Sequence, residues 1–324
     1  MTSETYLSTP RSPYLEYARL QALQPALKFR SLVLASIRDW FNQSGFTEIE
    51  TPVRLPAPAL ELHIDAEPAG DAFLRTSPEL HMKRLLASGY DRIYQIGPCF
   101  RKGERGNLHN PEYTMLEWYR ANADYRDIMG DVESLLASVS AHFCATARSE
   151  SSPYLNGALA EQLRAGSIPR LTVEELFVRY AGWNPVEQYD AERFEQDLVA
   201  KVEPALPRNT PVFVIDYPSA AAALSRRKPG REVVAERFEL YINGVEIANA
   251  FSELTDPAEQ RRRFEACACE REAMKAPVYP LDELFLSALD LGMPPAGGIA
   301  VGIDRLVMVL AGATSLDAVM AFRE

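Results

Sequence analysis

The sequence is poor in cysteine: Cys99, Cys144, Cys267 and Cys269 are the four in 324 residues. Their spacing matches neither a zinc knuckle nor a redox CxxC pair. Cys267 and Cys269 fall in a stretch that reads as helix, about 200° apart around its axis, so they do not face one ligand. Reduced, inert thiols are the expectation. No apolar run approaches the roughly 18 residues that suggest a membrane helix. The opening segment, MTSETYLSTPRSPYLEYARL, lacks the basic and apolar regions of a signal peptide. A cytoplasmic location with no membrane partner is therefore expected. Positive charge is also in deficit, with 34 Lys and Arg against 45 Asp and Glu, a formal net charge of −11. That argues against broad binding to a phosphate backbone, which needs a basic face, but leaves room for a local cationic pocket. Neither GxGxxG nor GxxxxGK[ST] occurs, so the commonest nucleotide loops are absent. There is no internal repeat and no low-complexity tract.

Apolar residues make up 47% of the chain and charged residues 24%, enough apolar surface to offset the ordering entropy of a globular fold. The length allows one large domain or two modest ones. Residues 1–25 carry Pro and Ser and read as a loosely held arm. LKFRSLVLASIRDWF has helical periodicity, ended by Gly45. FTEIETPVRL reads as strand with Pro52 as a breaker. Residues 92–120 read as strand, polar loop, strand. Residues 121–205 read mostly as helices, VFVIDYP as a buried strand, and RFELYINGVEIANAFSEL as a hairpin turning on Asn243-Gly244. Asp256 and Pro257 open a helix, and GGIAVGIDR reads as strand running into helix. Two hairpins with helices grouped between them predict an α+β fold on an antiparallel sheet, not alternating βαβ units.

Strand alternation sorts the side chains. In YTMLEWYR, Thr114, Leu116 and Trp118 share a core face; Tyr113, Met115, Glu117 and Tyr119 share the other. A carboxylate on that second face is costly unless paired, so Glu117 should meet a cation. The preceding loop holds Arg101, Lys102, Glu104, Arg105 and His109. It reads either as a solvated loop or as a fork for phosphate or carboxylate oxygens. In the second hairpin Asn249, Phe251 and Glu253 share a face, with Glu239 and Glu246 nearby. Close carboxylates repel unless a cation intervenes, and magnesium held with substrate phosphates is the usual solution. Three independent surface glutamates are the other reading. Alternation puts Glu246 opposite to Glu253, so a shared ion demands a β-bulge between them. In GGIAVGIDR, Gly298 and Gly302 allow close approach of a ligand or backbone, and Arg305 starts a helix. SRRKPGR (225–231) is the densest basic run, either a solvated turn or a dock for an acidic partner.

Taken together, SGFTEIETP (44–52), FRKGERGNLHNPEYTMLEWY (100–119) and GGIAVGIDR (297–305) resemble motifs 1, 2 and 3 of a class II aminoacyl-tRNA synthetase, in that order. TSPELHMKRLL, HNPEYTMLEWY and ANAFSEL are similar to blocks of its lysine branch. Motif 1 starts about 45 residues in, which leaves no room for that branch's anticodon-binding barrel, so no tRNA anticodon recognition is expected. Ser77 and Ala300 stand where the synthetases usually have Ala and Gly. Both resemble the shorter elongation factor P–(R)-β-lysine ligase family. The resemblance implies a single class II catalytic domain over 1–324, with 121–205 as a helical insertion between motifs 2 and 3, and a homodimer. It implies an ATP- and Mg2+-dependent ligase that activates (R)-β-lysine and transfers it to elongation factor P. A minimal lysine-activating enzyme with tRNA or another amine acceptor is the alternative.

The same resemblance implies roles. Arg101 and Arg305 would be catalytic. Ser77, Pro78, Glu79, Glu117, Tyr119, Asn249, Phe251, Glu253 and Ala300 would bind the amino acid. Arg101, Lys102, Gly103, Glu104, His109, Asn110, Tyr113, Glu246, Ile247, Gly302 and Arg305 would bind ATP, with adenine between Tyr113 and Arg305. Glu239, Glu246 and Glu253 would hold the metal. One departure stands out: motif 2 usually opens Phe-Arg-x-Glu, and here Gly103 occupies the carboxylate's place, with Glu104 next.

Overall fold

The computed structural model describes residues 12–146, 154 and 157–323. Its helices are α1 (Pro13–Gln43), α2 (Glu79–Ala87), α3 (Tyr125–Thr146), α4 (Gly157–Ala165), α5 (Val173–Tyr180), α6 (Ala191–Asp197), α7 (Pro257–Ala273), α8 (Glu283–Gly292) and α9 (Ile303–Leu310). Its strands are β1 (Thr47–Glu48), β2 (Arg54–Leu55), β3 (Pro68–Ala69), β4 (Ala72–Leu74), β5 (Arg92–Phe100), β6 (Glu112–Ala121), β7 (Arg170–Thr172), β8 (Val212–Ile215), β9 (Arg227–Lys228), β10 (Arg231–Ala235), β11 (Arg237–Ile242), β12 (Val245–Ser252) and β13 (Ala296–Gly302).

The expected loose arm is corrected in part, because residues 13–25 form the first turns of α1. Pro13 starts the helix where its missing N–H falls among those a helix leaves unpaired. Residues 1–11 lie outside the described residues. Pro25 sits inside α1 and removes one intrahelical bond. Burial of Leu23, Ala26, Phe29, Val33, Ile37, Trp40 and Phe41 along one face outweighs that loss. Gly45 closes the helix at φ +73°. Pro52 divides the expected strand into β1 and β2. The 121–205 stretch is mostly helical, but it also supplies β7, which pairs with β8 at the sheet edge.

Eight strands form the central sheet in the order β1-β5-β6-β13-β12-β11-β8-β7. The six inner strands pair antiparallel, as expected; the outermost pairs, β1–β5 and β7–β8, are parallel. One face is core: Leu116, Trp118, Ile299, Val301, Ala248, Ala250, Phe238 and Leu240 pack with residues of α1, α3 and α9. The β11–β12 hairpin turns on Asn243 and Gly244, both at positive φ, as a tight two-residue turn requires. Asp256 caps α7 by accepting from the Glu259 N–H at 2.9 Å. On α7, Cys267 is partly buried and Cys269 exposed. The Cys144 side chain lies outside the described residues.

The second layer, α2, α7 and α8, covers one end of the other face and clamps the loop before β3. Arg271 on α7 is fully buried. Its guanidinium donates to the carbonyls of Pro277, Glu61, Leu62 and Ile64 at 2.6 to 3.2 Å. It also pairs with Asp65 at 2.5 Å. The Asp65 carbonyl accepts from the Lys102 N–H at 2.8 Å, tying this loop to the segment after β5.

The basic run at 225–231 is spent within the chain. Arg226 pairs with Glu236, Lys228 with Asp216 and Arg231 with Glu174, each at 2.5 Å, and Arg227 with Glu259 at 3.5 Å. These carboxylates already answer the charge that an acidic partner would need.

Arg271→Met removes the loop's hub and strands several carbonyls. It should lower unfolding stability by about 3 kcal/mol, read from the urea midpoint. An unchanged midpoint would mean water replaces the guanidinium without loss.

Candidate active site

Strand register lays two rows of side chains across the open face. One runs Glu239, Asn249, Ala300, Glu117, Gln95, each directly opposite the next. The other runs Arg237, Phe251, Gly298, Tyr119, Ile93. The small residues of β13 form the floor between taller walls. At Gly298 a Cβ would collide with Glu253 Oε1 and the Tyr119 ring, so only glycine lets both lean over the strand.

At one end the carboxylates are buried. Glu117 accepts from Ser77 Oγ at 2.7 Å and from Tyr119 OH at 2.9 Å. The Glu79 N–H donates to Ser77 Oγ at 2.9 Å, so Ser77 links the start of α2 to β6. Pro78 sits at the N-cap of α2. Lys83, one turn along α2 from Glu79, pairs with Glu79 and lies 2.5 Å from Glu253 Oε2. Burial, then the nearby Glu79, pushes the Glu117 carboxyl up to about 8. Burial also lifts Glu253 to about 8, against the pull of Lys83. Lys83 stays charged: burial disfavours its ammonium, but Glu253 and Glu79 more than reverse that.

At the other end lie the motif 2 loop and the start of α9. Gly103 adopts φ +78° and brings Glu104 back to 3.6 Å from Arg101. A carboxylate is thus supplied one residue later than the usual pattern places it. The Arg101 guanidinium lies 5.4 Å from the Tyr113 ring centroid, and Tyr113 OH donates to the Thr76 carbonyl at 2.8 Å. Arg305 donates to the carbonyls of Leu108 and Glu246, each at 3.1 Å, and pairs with the Glu246 carboxylate at 3.2 Å. Its Nη2 is 2.5 Å from His109 Nε2. Burial, then Arg305, holds the His109 imidazole below its usual range. Asn110 is buried, its Nδ2 donating to the Glu112 carbonyl at 2.6 Å.

The expected bulge is present. Leu240 pairs with Ala248 but Tyr241 with Glu246, so Ile247 is the extra residue. The slip turns Glu246 onto the face of Glu239 and Asn249. Ile247 itself is buried in the hydrophobic core. One expectation needs correction. The metal trio does not converge, and among the described residues no three His, Cys, Asp or Glu side chains are grouped to hold an ion. Glu246 and Glu253 stand seven positions apart on an extended segment, roughly 20 Å at the usual strand rise. Glu253 lies instead against Lys83, at 2.5 Å. Glu239 accepts from Tyr217 and Tyr241 at 2.6 and 2.7 Å and pairs with Arg237 at 2.6 Å. Burial, and then the nearby Glu246, holds the Glu239 carboxyl above its usual range against the pull of Arg237.

The family model for class II tRNA synthetases (D, K and N) matches residues 7–324. The elongation factor P–(R)-β-lysine ligase of Vibrio cholerae serotype O1 is 36% identical, over 91% of this chain and 94% of its own. Those of Hamiltonella defensa and Proteus mirabilis are 39% and 37% identical, each over 90% of this chain and 93% of the relative. The chain belongs to this family of class II ligases.

Two site residues escape sequence reasoning. Lys83 had a legible signal, a glutamate four residues earlier on a helix, but nothing said that the pair would be buried. Glu61 carries no motif, yet in this family member the Arg271 clamp fixes its backbone at the cleft. Burial first, partly offset by Arg101, raises its carboxyl.

Glu117 and Glu253 hold protons more tightly in the folded chain than at the ordinary carboxyl value of 4.5. Their contribution to stability is present below that value and lost as pH rises towards 8. Each gives a slope of up to about 1.4 kcal/mol per pH unit. The melting temperature of the free protein should therefore fall from pH 5 to 8, and a flat profile would count against protonated carboxyls here.

Proposed function

We propose that the chain activates (R)-β-lysine with ATP as an adenylate and transfers it to the ε-amine of a lysine on elongation factor P. The observation that carries this reading is the amino-acid end of the cleft. Glu79, Glu117 and Glu253 converge there, and Ala300 lies directly opposite Glu117 on the floor. A carboxylate-lined pocket makes charge-assisted bonds to ammonium groups, and a substrate lacking one leaves a buried carboxylate unpaired. Membership of a class II synthetase family carries ATP use with it.

In this reading Arg101 bridges the substrate carboxylate and the ATP α-phosphate while that carboxylate attacks phosphorus and pyrophosphate leaves. Two anions must meet, so positioning and charge neutralisation carry the step. Lys102 and His109 lie on the phosphate side, and Gly302 leaves room over the floor. Tyr113 and Arg305 flank the adenine slot, with Glu104 serving the adenine amino group that Gly103 cannot. Glu239 and Glu246, brought to one face by the bulge, fit Mg2+ held through two carboxylates plus substrate phosphates. Such an ion would neutralise phosphate charge. In the second half-reaction the acceptor amine attacks the acyl carbon and AMP leaves.

A homodimer fits the exposed apolar side of α1, where Tyr14, Leu15, Tyr17 and Leu32 face outward. A cytoplasmic setting fits this chemistry, and among the described residues no helix is long and apolar enough to cross a membrane.

The test offers both acceptors at once: protein, Mg-ATP and labelled (R)-β-lysine or α-lysine, with elongation factor P and total tRNA. The expected result is a lysyl-sized mass gain on elongation factor P, larger with β-lysine and lost when its acceptor lysine is mutated. Label on tRNA alone would make the chain a minimal synthetase and overturn the reading. Ala300→Gly should raise α-lysine activation relative to β-lysine by about tenfold, the scale of one methyl group in a pocket. Pyrophosphate exchange measures it, and an unchanged ratio would remove Ala300 from substrate choice.

A further inference from the structure

Lys83 is the buried charged side chain of the cleft to which the proposed chemistry gives no task. Its ammonium is wholly enclosed. It lies between Glu79 on its own helix and Glu253 just past β12, 5.2 Å from the Phe251 ring centroid and 6.0 Å from that of Phe285 on α8. From β6, Glu117 and Tyr119 face the same space. Cys99 on β5 and Glu61 before β3 are the next titratable groups, acting on Glu117 and Glu79.

Three carboxylates, Glu79, Glu117 and Glu253, stand against this one ammonium, and three less one leaves two negative charges unmatched. A ligand with two ammonium groups closes that account; a ligand with one leaves a buried charge open, which is costly. We infer that Lys83 is a positioning residue for substrate choice: by holding Glu79 and Glu253 it sets the pocket's charge deficit at two and so selects a diamino acid. This rests on the reading that the site activates a diamino acid.

In the free protein the deficit is covered by protons, since Glu117 and Glu253 both titrate at about 8. An entering diamino acid displaces them. Lys83 lowers both carboxyls. Without it they ionise only at higher pH, and the substrate must wait for that ionisation.

Two measurements test this. Calorimetry of (R)-β-lysine binding to the wild-type protein at pH 7, in buffers of different ionisation enthalpy, should show release approaching two protons per ligand. The analogue lacking the distal amine should release about one fewer. No proton release, or equal release by both ligands, overturns the inference. In pyrophosphate exchange, Lys83→Met should move the rising limb of the kcat/KM profile upward by a pH unit or more, chiefly through KM. Equal loss of kcat/KM at every pH would mean a structural role only, and would also overturn it. If that variant does not fold, the wild-type calorimetry decides alone. A wild-type protein that supports no exchange with any diamino acid would defeat the functional reading itself, which separates the two failures.

Discussion

The structure turns on keeping three carboxylates and one ammonium out of water. Buried charge is tolerated only when it is paired and hydrogen-bonded, and each element near the pocket contributes to that condition. α2 brings Glu79 and Lys83 one turn apart. Ser77, just before it, reaches across to Glu117. Gly298 stays bare so that Tyr119 and Glu253 can close over it. The layer of α2, α7 and α8 seals the pocket from outside with Phe285, Leu286 and Leu289 in its core. The ion pairs do not add much stability on balance. Their consequence is a buried cluster of defined charge, which is what an enzyme choosing among amino acids requires.

The other half of the site depends on a break in strand regularity. Without the extra residue at Ile247, Glu246 would point into the hydrophobic core of α1, α3 and α9. With it, Glu246 faces Arg305 and the side of Glu239. One bulge therefore moves a carboxylate from the core face to the open face of the same strand. The motif 2 loop makes a comparable adjustment. Gly103, in a left-handed conformation, turns the backbone so that Glu104 returns beside Arg101. In both places a local irregularity re-aims one carboxylate.

Much of this was legible along the chain. The alternation of YTMLEWYR sorted one face from the other, and Leu116 and Trp118 do lie in the core while Glu117 and Tyr119 share the opposite face, beside the β13 floor. The Asn243-Gly244 turn and the Asp256 cap were equally local and equally readable. The first helix begins earlier than its apolar periodicity marks, at Pro13, because a proline at the first helical position is a start signal. Glu253 shares a face with the other hairpin carboxylates, but it stands seven positions beyond Glu246, too far along an extended segment for the two to converge.

Sequence alone determined the strand faces, the turns, the helix caps and the family, because each depends on residues within a few positions of one another or on long specific motifs. Tertiary structure alone decided which charges meet. The run at 225–231 looked available and is paired with Glu174, Asp216, Glu236 and Glu259, residues from four other stretches of chain. Lys83, one helical turn from Glu79, is enclosed with Glu253 from 170 positions away. Electrostatic energy follows distance and burial in space, and neither is written in the order of the residues.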